Sequence, residues 1–203
     1  ARLLAPDDEG IIEDLVHAQL QAGKWGDAER NISLLLKKPE NAKRRDLKIL
    51  HAKALTNTGR PVEARTIYQE LLSSDDGKSD IDSWIGLANT SFMVNDMRTV
   101  RKAATRVISI EPDSHEGYLL YSMYHRQLGD YQSALASINN ALQRSPMDPG
   151  MHAFRAMILS DLSRQGEAIV SAQRAVELEP GNPRYARMLS EIQRGTFASV
   201  PTE

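Results

Sequence analysis

The sequence predicts an all-α protein, a solenoid of helix-turn-helix repeats. Three observations carry that prediction. Pro112, Pro146 and Pro180 are spaced 34 residues apart. Small residues recur at Ala28, Ala64, Val100, Ala134 and Ala168, with spacings of 36, 36, 34 and 34 residues. A short turn residue sits five positions before each of them: Gly23, Gly59, Asn95, Gly129 and Ser163. Self-similarity at such a period is the signature of stacked supersecondary units, none of which can bury its apolar face alone.

Five units follow, at about 9–44, 45–80, 81–114, 115–148 and 149–182. Residues 1–8 form a lead. The first unit turns at Gly23. The second turns at Gly59 and ends in Ser-Ser-Asp-Asp-Gly, without a closing proline. The third has Asp80 as a candidate N-cap, turns at Asn95 and closes at Pro112. In the fourth, Tyr118, Tyr121, Ser122 and His125 share one helical face. Gly129-Asp130 breaks that helix, because glycine enters the left-handed region without steric cost. Tyr131, Ala134, Leu135, Ile138, Ala141 and Leu142 form the next helical stripe, which Ser145-Pro146 ends. Asp148-Pro149 opens the fifth unit and Asn182-Pro183 a last helix, each an N-cap residue before a first-turn proline. That last helix, 183–194, sets Arg184, Arg187, Glu191 and Arg194 around Tyr185, Met188, Leu189 and Ile192. A half-polar face of this kind suits the open end of a stack. Gly195 stops it, and 195–203 reads as a flexible tail.

Together these residues resemble the tetratricopeptide repeat (TPR) family. The third unit carries the pattern at Trp84, Leu87, Ala88 and Pro112. The fourth carries it at Tyr118, Gly129, Tyr131, Ala134, Ala141 and Pro146, and the fifth at Ala156, Ala168, Ala175 and Pro180. The first two are weaker, keeping Leu15, Gly23, Trp25 and Ala28, then Ala52, Gly59 and Ala64. The resemblance covers 9–194 and implies a right-handed superhelix. Small residues such as Ala52, Ala88, Ala134, Ala156 and Ala168 would let helices approach. Leu15, Trp84, Tyr118 and Ile138 would fill the gaps.

Composition excludes several functions. The 25 Lys and Arg against 27 Asp and Glu give a net charge of −2, and a phosphate-wrapping domain should be basic. No cysteine is present, so there is no disulfide, thiolate metal site or cysteine nucleophile. No apolar run approaches the roughly 20 residues that span a bilayer. The five histidines, His17, His51, His115, His125 and His152, show no metal-binding spacing and read as structural or solvated. Gly77-Lys78-Ser79 lacks the earlier glycine and the preceding strand of a phosphate loop. Asp75, Asp76, Asp80 and Asp82 cluster without the alternation of a calcium loop. Glu167 with Glu177, and Asp27 with Glu29, read as solvated helix charges. Two basic stretches stand out, Arg98, Arg101, Lys102 and Arg106, and Lys37, Lys38, Lys43, Arg44, Arg45 and Lys48. They lack the interleaved aromatics of a nucleic-acid face. No catalytic residue, metal or cofactor is expected, and no nucleic-acid partner or membrane insertion.

The resemblance implies a concave groove lined by the first helices of successive repeats. Glu13, His17, Leu20 and Gln21 would line it in the first unit, and Asp46, Ile49, Lys53 and Asn57 in the second. Ile85, Asn89, Phe92 and Met93 would follow, then Glu116, Leu119, Met123, Arg126 and Gln127, then Ala153, Met157, Ser160 and Asp161. The Lys and Asn clamp of the family's chaperone adaptors is absent in every register; in the first, Glu13, His17, Leu50, Asp82 and Gly86 stand at its positions. The expected function is therefore noncatalytic binding of a peptide or helical segment at Lys53, Ile85, Asn89, Phe92, Met93, Leu119, Met123, Arg126 and Met157. Two alternatives stand beside it. One is an assembly segment of a larger complex, self-associating through convex faces or ends. The other is a recruiting arm of an enzyme whose catalytic domain lies outside this chain. The chain starts at Ala1, as a processed protein or a piece of a longer one would. With the absence of Cys, that start favours a bacterial envelope protein; the cytoplasm fits equally, and the compartment stays open.

Overall fold

The computed structural model describes residues 9–74 and 76–197. Among them are eleven α-helices, one 3-10 turn and no strand. The helices are α1 (Glu9–Gln21), α2 (Trp25–Leu36), α3 (Arg45–Asn57), α4 (Pro61–Ser73), α5 (Ile81–Met93) and α6 (Met97–Ile110). They continue with α7 (His115–Gln127), α8 (Tyr131–Arg144), α9 (Pro149–Asp161), α10 (Gln165–Leu178) and α11 (Pro183–Gln193). None of them is long and apolar enough to cross a membrane.

One turn geometry is used six times. Gly23, Gly59, Asn95, Gly129, Ser163 and Gly195 all have φ between 57° and 79°. At each, the next residue's N–H reaches the carbonyl five residues back: Lys24 to Gln19, Arg60 to Leu55, Asp96 to Ser91, Asp130 to His125, Arg164 to Leu159 and Thr196 to Glu191. The turn residue's own N–H bonds three residues back, as Gly23 does to Leu20 and Ser163 to Ser160. This double bond is the Schellman cap, which satisfies carbonyls a helix end would otherwise orphan. The small-residue series follows from it. The N–H groups of Ala28, Ala64, Ala134 and Ala168 make the first bond of the next helix, and all four side chains are fully buried.

The chain divides inside α6 into two compact units, Ala1–Thr99 and Val100–Glu203. In the first, α1 packs on α2, α2 on α3, α3 on α4 and α4 on α5. Ile12, Val16, Ala28, Ile32, Leu35, Leu47 and Ala54 form its N-terminal core. Ile12 and Val16, rather than Leu15, are the buried residues of α1, and Leu15 is half-buried. Where the closing proline is missing, the 3-10 turn Asp76–Ser79 takes its place. A side chain at Gly77 would sit 1.8 Å from the Leu71 carbonyl oxygen, so the glycine is what permits this close approach. Arg45 then holds both sides of the junction, donating to Leu71 O at 3.0 Å and to Asp80 Oδ2 at 2.8 Å. Asp80 caps α5 through the Ser83 N–H.

In the second unit α7 packs on α8, α8 on α9, α9 on α10 and α10 on α11. Its core is Ala134, Leu135, Ile138, Ala141, Leu142, Met151, Ala153, Ala156, Ile158, Leu159, Ala168, Ala172, Ala175, Met188 and Ile192. Tyr118 is half-buried under Arg144, whose guanidinium lies 4.0 Å from the ring centroid. Asp148 and Asn182 cap α9 and α11 as their sequence context suggests, bonding the Met151 and Arg184 N–H groups. Past Gly195, Phe197 packs on this core, so the described part of the segment expected as a tail is held. Residues 198–203, like the expected lead 1–8, lie outside the described residues.

Candidate functional site

In the first unit α3 touches α5, and α1, α3 and α5 enclose a cavity of about 280 Å³. Val16, Leu47, Ile49 and Leu50 give it apolar walls, and Val16 and Leu47 belong to the core beneath. Glu13, Asp46, Asp82 and His17 supply its polar lining. Arg44 bridges two of these carboxylates, with Nη1 2.5 Å from Glu13 and Nη2 2.6 Å from Asp46. The Arg44 hydrogen bond outweighs desolvation and holds the Asp46 carboxyl below the usual range. Asp82 has no hydrogen bond or ion pair among the described residues.

None of the nine residues singled out by sequence lines this cavity. On the same unit's helices, Lys53, Asn89 and Met93 are exposed, while Ile85 and Phe92 are half-buried. In the second unit Leu119, Met123, Arg126 and Met157 are all half-buried, and Leu119 and Met157 pack on the core. Arg126 is not a free polar hook. Its Nε lies 2.7 Å from Asp161 Oδ2, and that side chain is 1% exposed. The Phe154 ring sits 5.8 Å from the guanidinium carbon. Asp161 Oδ1 is buried without a hydrogen-bond partner. The acidic cavity was only partly legible in the sequence. Glu13, His17, Asp46 and Ile49 fall on the expected stripe, and Leu50 and Asp82 stand at the clamp positions of the family's register; the packing of α3 against α5 brings them into one cavity.

The remaining sequence candidates are absorbed by structure. His51 Nε2 lies 3.2 Å from both Ser33 Oγ and Glu29 Oε1. Both partners meet the same ring nitrogen, whereas a catalytic relay needs the acid on one nitrogen and the nucleophile on the other. Burial opposes ionisation of Glu29, but the His51 and Ser33 bonds and the Arg60 charge outweigh it and lower its pKa. His115, His125 and His152 are engaged by Glu116, Asp130 and the Pro146 carbonyl. Among the described residues no group of three or more His, Asp or Glu is arranged to hold a metal ion. Gly77-Lys78-Ser79 forms the 3-10 turn, and the Lys78 carbonyl accepts from Trp84 Nε1. The basic stretch of the first unit is largely neutralised. Lys38 pairs with Glu9, Arg44 with Glu13 and Asp46, Arg45 with Asp80, and Lys48 with Glu70. The carboxylates Asp27, Glu167 and Glu177 each pair with an arginine three residues away on the chain.

Comparison with known proteins agrees with this repeat architecture. The tetratricopeptide repeat family model matches residues 122–183. The human protein O-mannosyl-transferase TMTC1 is 26% identical over 150 residues, covering 71% of this chain and 17% of the human protein. The chain thus spans less than a fifth of that relative's own length. Among solved structures, a thermophilic TPR protein of Thermus thermophilus superposes with a TM-score of 0.82 at 15% identity, covering 92% of this chain and 99% of that one. The MamA protein superposes with a TM-score of 0.62 at 16% identity, covering 95% and 98%. The family model thus covers 122–183, and along nearly its whole length the chain has the tetratricopeptide repeat fold.

Proposed function

We propose that the protein is a noncatalytic interaction module that binds a peptide or helical segment along the first-helix faces of its repeats. The cavity of α1, α3 and α5 is the observation that carries this reading. It is a concave, apolar-walled space lined only by first helices, which is the kind of surface that seats a partner side chain. Phe92, Met93, Leu119, Met123 and Met157 extend the apolar character on the first helices of each unit, and methionine adapts to varied partners. Lys53 and Asn89, both exposed, would supply bonds to a partner backbone.

The test is a pull-down from the source organism with wild type and a Phe92→Glu/Met123→Glu double variant, both checked for folding by circular dichroism. A partner retained by wild type and lost by the folded variant is the expected result. Equal retention by both would move binding to the convex faces or the ends, and a mass in solution above that of one chain would favour self-assembly.

One observation favours a second reading. TMTC1 is by name a transferase, and this chain aligns with a small share of it. A repeat arm that recruits substrates to a catalytic domain elsewhere would show this relation. Full-length sequence at the locus, with or without an adjoining transferase domain, decides between the two.

A further inference from the structure

We propose that the cavity between α1, α3 and α5 receives a lysine or arginine side chain of the partner segment, with an aliphatic neighbour on its apolar wall. This deepens the first-helix reading and rests on it.

Size, wall and charge point to this one occupant. A volume of about 280 Å³ lies just under the roughly 300–1,000 Å³ of pockets for whole small ligands, so it suits a side chain. Val16, Leu47 and Leu50 offer the wall on which the methylene stem of a long cation is buried. Three carboxylates, Glu13, Asp46 and Asp82, dominate its ionisable lining, beside the one imidazole of His17. Arg44 offsets one negative charge, shared between Glu13 and Asp46. Asp82 is left without a partner among the described residues, and it is the carboxylate that an incoming cation would engage. A carboxylate or phosphate on the partner would be repelled here, and a purely aliphatic side chain would leave Asp82 desolvated without compensation. A bare metal ion fits poorly, because no described carboxylates converge tightly enough to hold one. An extended organic cation, with its charge spread and its stem apolar, matches both halves of the lining.

The experiment is selection of random dodecapeptides displayed on phage against the full 203-residue chain. Selected peptides are then synthesised, and their affinities are measured for wild type, Asp82→Asn, Asp82→Lys and Phe92→Glu/Met123→Glu. Asp82 is exposed and unbonded, so neither of its variants should disturb folding. The expected outcome is peptides sharing a Lys or Arg beside an aliphatic residue. Binding should fall about tenfold or more in Asp82→Lys, and by less in Asp82→Asn. Replacing the peptide's basic residue by norleucine should reproduce the loss in wild type and change little in Asp82→Lys. Peptides without a basic residue, or with equal affinity for Asp82→Lys, overturn the cation pocket. If such peptides still lose binding to Phe92→Glu/Met123→Glu, the first-helix reading survives while the pocket fails. If no peptide is enriched, both fail.

Discussion

The two units share their helix ends and each has an apolar core, and they differ in the charges added between helices. In the first unit, charges join helix to helix. Lys38 reaches Glu9, Arg44 reaches Glu13, Arg45 reaches Asp80, Lys48 reaches Glu70, Glu29 meets His51 and Arg60, and Arg65 reaches Asp96. In the second unit a continuous apolar cluster joins the helices, with seven alanines in it. The close interhelical ion pair described there is Arg126–Asp161, whose acid is shielded from solvent. Most first-unit pairs are a fifth or more exposed on at least one side. Exposed pairs contribute about 0–1 kcal/mol each and are screened by salt. Apolar burial contributes more per side chain and presents no charge for salt to screen or pH to titrate. Identical turn geometry therefore does not imply identical adhesion: the caps set the repeat, and the side chains between the caps decide what holds it.

The largest expected effect breaks the apolar side of this contrast. Ile138 is fully buried among Ala134, Ala141, Leu142 and their neighbours in the second unit. Ile138→Ala should cost about 2–5 kcal/mol, the range for losing most of a buried aliphatic side chain and leaving a cavity. Removing one charge from the first unit, as in Glu70→Ala, should cost less than about 1 kcal/mol, since Glu70 is 61% exposed. Urea unfolding followed by circular dichroism measures both. A loss from Glu70→Ala as large as that from Ile138→Ala would show that the ion pairs act as a network rather than singly.

Acid should separate the units. Six carboxyls of the first unit, Glu9, Glu29, Asp46, Glu63, Asp80 and Asp96, have lowered pKa values. In the second unit Asp130 and Glu167 do. At Asp80 burial opposes the shift, while bonds from Ser83 and Arg45 outweigh it. A carboxyl whose folded value lies below its unfolded value stabilises the fold fully above the unfolded value. That stabilisation is lost as pH falls through the folded value. The unfolded references are 3.8 for Asp and 4.5 for Glu, so the loss begins near pH 5 and grows below it. Both tryptophans, Trp25 and Trp84, lie in the first unit. On acid titration, tryptophan fluorescence should therefore change at higher pH than the last part of the helical circular dichroism signal. Coincident transitions would contradict the division of labour.

How much of this was legible in the sequence depends on range. Turns were readable because a left-handed residue and a following small residue are local demands, met at Gly23 and Ala28 and again at Ser163 and Ala168. Closing prolines were readable for the same reason, and so was their absence after α4. The 3-10 turn that replaces the missing proline was not. It rests on Gly77 meeting the Leu71 carbonyl and on Arg45 arriving from 26 residues earlier. The binding face was half legible. Helical period put Glu13, His17 and Asp46 on one stripe; the family's register, not period, set Leu50 and Asp82 beside them, and neither showed that they share one cavity. Nor does period show that Arg126, read as a hook, is already held by Asp161.

The smallest expected effect probes the turns themselves. Four of the six caps use glycine, while Asn95 in the first unit and Ser163 in the second adopt φ of 59° and 57°. The left-handed region costs an L-residue about 1–2 kcal/mol because Cβ crowds the next carbonyl, and asparagine relieves part of that by local hydrogen bonding. Glycine removes the crowding but raises unfolded-chain entropy by the equivalent of roughly 0.5–1 kcal/mol. The two terms nearly cancel at Asn95, so Asn95→Gly should change stability by a few tenths of a kcal/mol at most. At Ser163 the crowding term is larger, and Ser163→Gly should stabilise by up to about 1 kcal/mol. Thermal unfolding of the two variants beside wild type reads the difference. A gain at Ser163 alone would mean that the apolar packing of the second unit holds a backbone conformation its sequence disfavours, whereas the first unit chose a residue that suits its turn. Equal gains would show that the cap's two hydrogen bonds, shared by both sites, set the cost of the turn whichever side chain occupies it.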